Sequence, residues 1–148
     1  MRYLLDTNVL SEARKPVPRR DPRFHEWIQS VAAEDAAISV ITLGEVLAGV
    51  LRLERKDTAQ GALLRRWYVE DVLGEFADRT LPVTRQIAEL EARLQVPDQR
   101  PKAGALLAAT AVSHHLVLVT RNVADFAGTG VAWLNPWTGE SGDSFRAK

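Results

Sequence analysis

An α/β architecture, a central parallel sheet flanked by helices, is what this 148-residue sequence predicts. Two observations carry the prediction. Apolar runs of strand length alternate with longer segments whose apolar residues recur every three or four positions, the order expected of parallel strands joined by helical crossovers. Two of those runs, Tyr3–Leu5 and Leu116–Val119, end directly on polar groups, Asp6 and Thr120. Sheets of this kind gather their ligands at such strand ends.

The elements follow in order. Tyr3 to Leu5 reads as a buried strand, and Asp6, Thr7 or Asn8 can cap the helix after it. Arg14 to Pro22 contains three prolines and reads as a loop. Phe24, Trp27, Ile28 and Val31 recur at helical spacing, and Ala36 to Val40 is the next strand. Thr42 is expected to open a helix with Leu43, Val46, Leu47, Val50 and Leu51 on its core face. A further helix sets Leu64, Tyr68 and Val72 in one row and Leu63 and Trp67 in the next. Leu81 to Val83 reads as a short strand, and Ile87, Leu90 and Leu94 mark an amphipathic helix. A polar loop, Pro97 to Lys102, leads to a helix over Ala103 to His115, then to strands at Leu116–Val119 and Val131–Leu134. Neither repeat nor linker interrupts this series, so residues 1–138 read as one domain. The small, polar residues 139–148 read as a frayed tail.

Composition narrows the function. Lys plus Arg equals Asp plus Glu at 19 each, so bulk basicity does not mark a nucleic-acid binder, although a local patch would suffice. The absence of cysteine removes disulfides, thiolate metal sites and cysteine nucleophiles, and fits a reducing cytoplasm. The longest apolar stretch, Ala36 to Leu51, is broken by Glu45 and too short to span a membrane. Met1 leads straight to Arg2 and Asp6 without a signal-peptide pattern, so a soluble cytoplasmic protein is expected.

Three acids stand where chemistry is possible: Asp6 after the first strand, Glu45 near a helix start, and Asp125 after the Leu116–Val119 strand. Each also has a structural reading. Asp6 can cap, Thr42-x-x-Glu45 fits a capping box, and Asp125 suits the first turn of a helix capped by Asn122. Glu45 shares its stripe with Ala48, Gly49 and Arg52, whose small members would let another element or a phosphate approach. Oxygen ligands gathered at one sheet edge suit Mg²⁺ or Mn²⁺, ions that activate water and stabilise charge at a phosphodiester.

Leu4-Leu5-Asp6-Thr7-Asn8-Val9-Leu10-Ser11 resembles the opening motif of PIN-domain ribonucleases, specifically the VapC-type toxins of bacterial toxin–antitoxin pairs. Ser39-x-Ile41-Thr42-x-Gly44-Glu45 is similar to their second acidic motif, and Leu107-Ala108-Ala109-Thr110-Ala111 to the helix bearing the third. Val119-Thr120-Arg121-Asn122-x-x-Asp125-Phe126 resembles the fourth, and Asn135-Pro136-Trp137 occurs in a branch of the family. The resemblance runs in order from residue 2 to about 137. It implies a PIN-like fold and a Mg²⁺- or Mn²⁺-dependent endoribonuclease. Asp6 would be the central metal ligand, Glu45 and Asp125 would complete the site, and Thr7, Asn8, Thr120 and Asn122 would order waters and the scissile phosphate. It also implies a cognate antitoxin, an RNA substrate and a homodimer or larger toxin–antitoxin assembly.

One position departs from the pattern. The family's third acid falls at Gly104, which offers no ligand and, read as a helix-interior glycine, costs ~1 kcal/mol relative to alanine. Three accounts are open: an inactive homologue, an alteration that silences a toxic nuclease, or a substitute acid, with Asp98 the nearest upstream. The expectation is impaired cleavage, and the rival reading is a catalytically silent module that binds RNA or antitoxin. A phosphotransfer domain would also place an aspartate at a strand tip. It would pair acids on the first strand and carry a later lysine, where this chain has Asp6-Thr7-Asn8 and Thr120-Arg121.

Arg14, Lys15, Arg19, Arg20 and Arg23 cluster around the loop after the first helix and are candidates for holding RNA phosphates, with Arg100 and Lys102 as an extension. A solvated basic loop explains the same residues. His114 and His115 read as helix-end residues and His25 as half exposed. No glycine-rich phosphate loop occurs.

Overall fold

A computed structural model describes residues 1–143. Six strands form one sheet in the order β3-β2-β1-β4-β5-β6. They are β1 (Tyr3–Leu5), β2 (Ala36–Ser39), β3 (Thr80–Leu81), β4 (Val117–Val119), β5 (Ala132–Asn135) and β6 (Glu140–Asp143). All neighbours pair in parallel except β6, which runs antiparallel to β5. Central β1 pairs Leu4 with Ala37 of β2 and Leu5 with Val119 of β4. The chain winds from β1 through β2 to β3 on one side and then crosses back to β4 on the other. The topological switch point therefore lies between β1 and β4.

Six helices cover the sheet: α1 (Thr7–Arg14), α2 (Pro22–Ser30), α3 (Val40–Lys56), α4 (Thr58–Trp67), α5 (Arg85–Leu94) and α6 (Lys102–Ser113). Successive strand residues face opposite sides, so Leu5, Ile38 and Val119 join one core with Val9, Phe24, Val46, Val50 and Val72. Leu4, Ala37 and Leu118 join the other, with Leu107, Ala108, Ala111, Phe126 and Val131. A π-helical segment, Tyr68–Leu73, continues α4, turning Tyr68 and Val72 inward and leaving Val69 and Leu73 exposed. The α3–α4 pair approaches closely at Gly61, where an added Cβ would sit 2.6 Å from the Glu54 Cα. Arg65 closes the same contact with two hydrogen bonds to the Glu54 carboxylate.

Several boundaries differ from the sequence reading. Helix α3 starts at Val40, because the Ser39 hydroxyl accepts the Ile41 N–H at 3.0 Å and caps it. Thr42 is consequently a fully buried residue inside the first turn, and no capping box forms. Strand β3 stops before Pro82, which has no N–H to offer a ladder. The polar tail reading fails for Glu140–Asp143, which pair with β5 after a turn closed by Gly139 at φ +78°. Polar residues suffice there because β6 is an edge strand and mostly exposed. The remainder of that expected tail, 144–148, lies outside the described residues. Among the described residues no helix is long and apolar enough to cross a membrane.

Candidate active site at the switch point

Leu4 and Leu5 are buried on opposite faces, which fixes β1 and delivers Asp6 to its C-terminal tip beside the end of β4. There Asp6 does two things at once. Its Oδ1 accepts the Thr7 N–H at 2.7 Å, capping α1. Its Oδ2 accepts the Thr120 hydroxyl at 2.8 Å and the Asn8 amide at 3.4 Å. Thr120 is fully buried, and its oxygen also accepts from Asn8 Nδ2 at 3.3 Å and from the Asn122 N–H at 3.0 Å. Asn8 Oδ1 in turn accepts the Arg121 N–H. This network crosses the switch point and orients the Asp6 carboxylate before any ligand arrives.

Glu45, on the first turns of α3, accepts the Thr7 hydroxyl at 2.9 Å through Oε1. The helix start at Val40 leaves Glu45 exposed and engaged across the cleft, not in capping its own helix. Its neighbours Gly44 and Gly49 face open space, since an added Cβ at either meets nothing within 4 Å. The close-approach glycine of this hairpin is Gly61.

A cleft of about 750 Å³ gathers Asp6, Thr7, Asn8, Glu45, Gly104, Asn122 and Asp125. Asn122 precedes a short 3₁₀ turn, Val123–Phe126, but its side chain makes no capping bond there, while Asp125 stands exposed in the first turn. Gly104 is the third residue of α6, and a Cβ added to it would find only Phe126 Cε1 within 4 Å, at 3.8 Å. Nothing in the packing demands glycine. Asp98 is exposed and does not line the cleft.

The basic loop divides. Lys15 lines the cleft. Arg14 instead lies over the Trp67 ring at 5.8 Å, and Arg20 turns inward to the Ala13 and Lys15 carbonyls and the His25 ring. Arg19 is exposed and does not line the cleft, and neither does Lys102, which is paired with buried Glu91. Arg100 and Arg121 complete the cationic lining. Arg100 is held by the Leu94 and Ala127 carbonyls.

Sequence reasoning missed Glu12, which is buried and lines the same cleft. It accepts the Asp21 N–H at 2.8 Å and the Lys15 ammonium at 2.9 Å, so it ties the basic loop to α1. Burial pushes its carboxyl up, but the Asp21 N–H, Lys15 and the charge of Arg121 outweigh that and hold it below the usual carboxylate range. The available signal was its spacing, one helical turn beyond Asn8.

The cleft's donors are oxygens, the set suited to a hydrated divalent ion held by one or two carboxylates. Asp6, Glu45 and Asp125 share the cleft without forming the expected compact ligand set: among the described residues no three acid or imidazole groups lie close enough to hold an ion together. Glycine at 104 supplies no carboxylate to tighten the group.

Comparisons with known proteins bear on the family and the fold. The toxin FitB of Neisseria gonorrhoeae is 33% identical over 139 residues, covering 90% of this chain and 97% of its own. The VapC ribonuclease Y4jK of Sinorhizobium fredii is 32% identical over 142 residues, with 90% and 96% covered. Among solved structures, FitAcB from Neisseria gonorrhoeae superposes with a TM-score of 0.82 at 32% identity, covering 91% of this chain and 98% of that one. A toxin–antitoxin complex from Klebsiella pneumoniae gives 0.62 at 26% identity, covering 90% and 97%. With its residues 3–130 matching the PIN domain, the chain belongs to the PIN-domain family.

Proposed function

We propose that this chain is the toxin of a toxin–antitoxin pair, a cytoplasmic endoribonuclease dependent on Mg²⁺ or Mn²⁺, with its cleavage impaired by Gly104. The observation that carries the reading is the fixed Asp6 carboxylate at the switch point, in a cleft shared with Glu45 and Asp125. The names of the relatives, a toxin and a ribonuclease, support the class of activity, and the solved toxin–antitoxin complex supports a cognate antitoxin as partner. A homodimer, alone or within a larger assembly, belongs to the same reading.

In this reading Asp6 would hold the ion, and Glu45 and Asp125 would complete its surroundings directly or through its waters. A bound ion supplies an activated water and a counter-charge for the phosphate. The protein's own groups do the positioning. Thr120 and Asn8 keep Asp6 from rotating, and Thr7 sets the Glu45 carboxylate to accept a hydrogen bond from the attacking water. Asn122 lines the cleft where it would orient water or phosphate. Lys15, Arg100 and Arg121 offset the charge of neighbouring RNA phosphates.

The test is cleavage of a total RNA pool by antitoxin-free protein with Mg²⁺ or Mn²⁺, beside a Gly104→Asp variant. Cleavage by the variant at a rate about 10- to 100-fold above the parent is expected, the order associated with changes in a metal's ligand environment. Equal cleavage by both refutes the impairment. If neither cuts while RNA still binds in saturating Mn²⁺, the silent binding module takes the place of the nuclease. That second reading is favoured by one observation, the absence of a three-acid cluster among the described residues.

A further inference from the structure

We infer that Arg121 and Trp137 form a stacking platform for one RNA base beside the cleavage point, an inference that rests on the ribonuclease reading above. Three side chains are layered from the core to the cleft. Phe24, on α2, is fully buried, and its ring centroid lies 4.8 Å from that of Trp137 with the planes tilted by 35°. Trp137 is half-buried, and the Arg121 guanidinium lies over its ring at 5.2 Å from the centroid. Arg121 is exposed, and both it and Trp137 line the cleft that holds Asp6.

The stack is held from both ends. Trp137 sits in the β5–β6 turn, where its N–H donates to Asn135 Oδ1 at 2.9 Å and Arg23 of α2 donates to the Thr138 carbonyl at 2.6 Å. Arg121 directly follows Thr120, which donates to Asp6, and its own N–H donates to Asn8. The Arg121 backbone is thus anchored one residue from a group that positions the central carboxylate.

Two features point to a base and not to a phosphate alone. Among the described residues Arg121 makes no ion pair within contact distance; the Glu12 carboxylate feels its charge from farther off, and the group its guanidinium lies over is the indole. The cleft thus offers a planar guanidinium 5.2 Å from an indole centroid, and unpaired RNA bases stack on aromatic rings and on guanidinium planes. A point charge would serve phosphate equally well without the layered support. The platform would therefore hold the base of a nucleotide flanking the scissile bond and set where along a single strand the chain engages.

The experiment measures binding of a fluorescein-labelled twelve-nucleotide single-stranded RNA, and of versions lacking one base at each position in turn, to the full chain in EDTA. The same series is run with Arg121→Lys, which keeps the charge and removes the plane, and with Trp137→Leu. Circular dichroism checks that both variants fold. Loss of one particular base is expected to weaken binding about 5- to 150-fold, the range for a stacked base. In Arg121→Lys that penalty should fall below about 2-fold while the salt dependence stays unchanged, because the count of neutralised phosphates is the same. A positional penalty that persists in both variants, or its absence in the parent chain, overturns the platform and leaves RNA recognition standing. Failure of intact RNA to bind the parent chain both in EDTA and in saturating Mn²⁺ overturns the ribonuclease reading itself and the platform with it.

Discussion

Replacing Gly104 separates what the fold requires of this position from what the chemistry does. Gly104 is the third residue of α6, so the interior-glycine penalty used in reading the sequence overstates its cost. Gly104→Ala should still stabilise by about 0.4–1 kcal/mol, mainly by restricting the unfolded chain. The space exists, with Phe126 Cε1 at 3.8 Å in ordinary contact with an added Cβ. At roughly 2–4 °C per kcal/mol for a domain of this size, the melting temperature should rise by about 1–4 °C. Gly104→Asp gains the same backbone term and a favourable first-turn charge of about 0.3–1 kcal/mol. It also adds a like charge to a cleft already lined by Asp6, Glu45 and Asp125. In EDTA it should therefore melt no higher than the alanine variant.

Divalent metal should reverse that order. An ion present at a hundred times its dissociation constant stabilises by about 2.7 kcal/mol, a rise of roughly 5–11 °C. The aspartate variant should reach this at lower Mn²⁺ concentrations than the parent or the alanine variant. Thermal unfolding of all three proteins in EDTA and across a Mn²⁺ titration is the assay. A lower melting temperature for Gly104→Ala would show that glycine serves the fold here. Equal Mn²⁺ shifts in all three would remove position 104 from the ion's surroundings. Either result refutes the reasoning.

Three further outcomes are expected. Gly61→Ala should destabilise by about 1–3 kcal/mol, because its Cβ would meet the Glu54 backbone at 2.6 Å; unchanged thermal unfolding would mean that the α3–α4 contact yields easily. Thr120→Val should cost about 1–3 kcal/mol by orphaning bonds to Asp6, Asn8 and Asn122, whereas Thr120→Ser should be nearly neutral, and similar melting of the two would deny the hydroxyl its role. The Gln95 amide and the Lys102 ammonium hold the Glu91 carboxyl below its ordinary 4.5, so its contribution is complete above that pH and is lost as pH falls through the lower folded value. The stability gap between the parent and Glu91→Gln should be constant above about pH 5 and shrink in more acidic solution; a gap that widens there would reverse the assigned sign.

Legibility tracked how local the determining physics is. Asp6 was readable because Leu4 and Leu5 must be buried on both faces, which forces the next polar residue to a strand end. Thr120 was readable for the same reason after Leu118 and Val119. Ser39 escaped because a capping hydroxyl three residues earlier competes with Thr42, and only the end of β2 decides between them. The basic loop misled because charge predicts exposure but not direction: Arg14 finds Trp67, and Arg20 finds carbonyls, both off the cleft. Glu12 was missed because its partners, Lys15 and the Asp21 N–H, reach it only after the loop folds back.

The arrangement around Asp6 explains how an acid can be absent from such a site at little structural cost. Asp6 is oriented by Thr7, Asn8 and Thr120, and Glu45 by Thr7, all of them groups of the protein itself. No hydrogen bond of this network passes through position 104, where even a Cβ would meet only an aromatic edge. Removing Asp6 or Thr120 would break a cap or bury unpaired polar atoms, so the fold itself makes demands on those positions. It makes none on position 104 beyond room for a helix residue. Glycine there therefore leaves the fold and the hydrogen-bond network around Asp6 intact. On the proposed reading a single substitution there would separate cleavage from binding, and the paired Gly104→Ala and Gly104→Asp measurements test that separation.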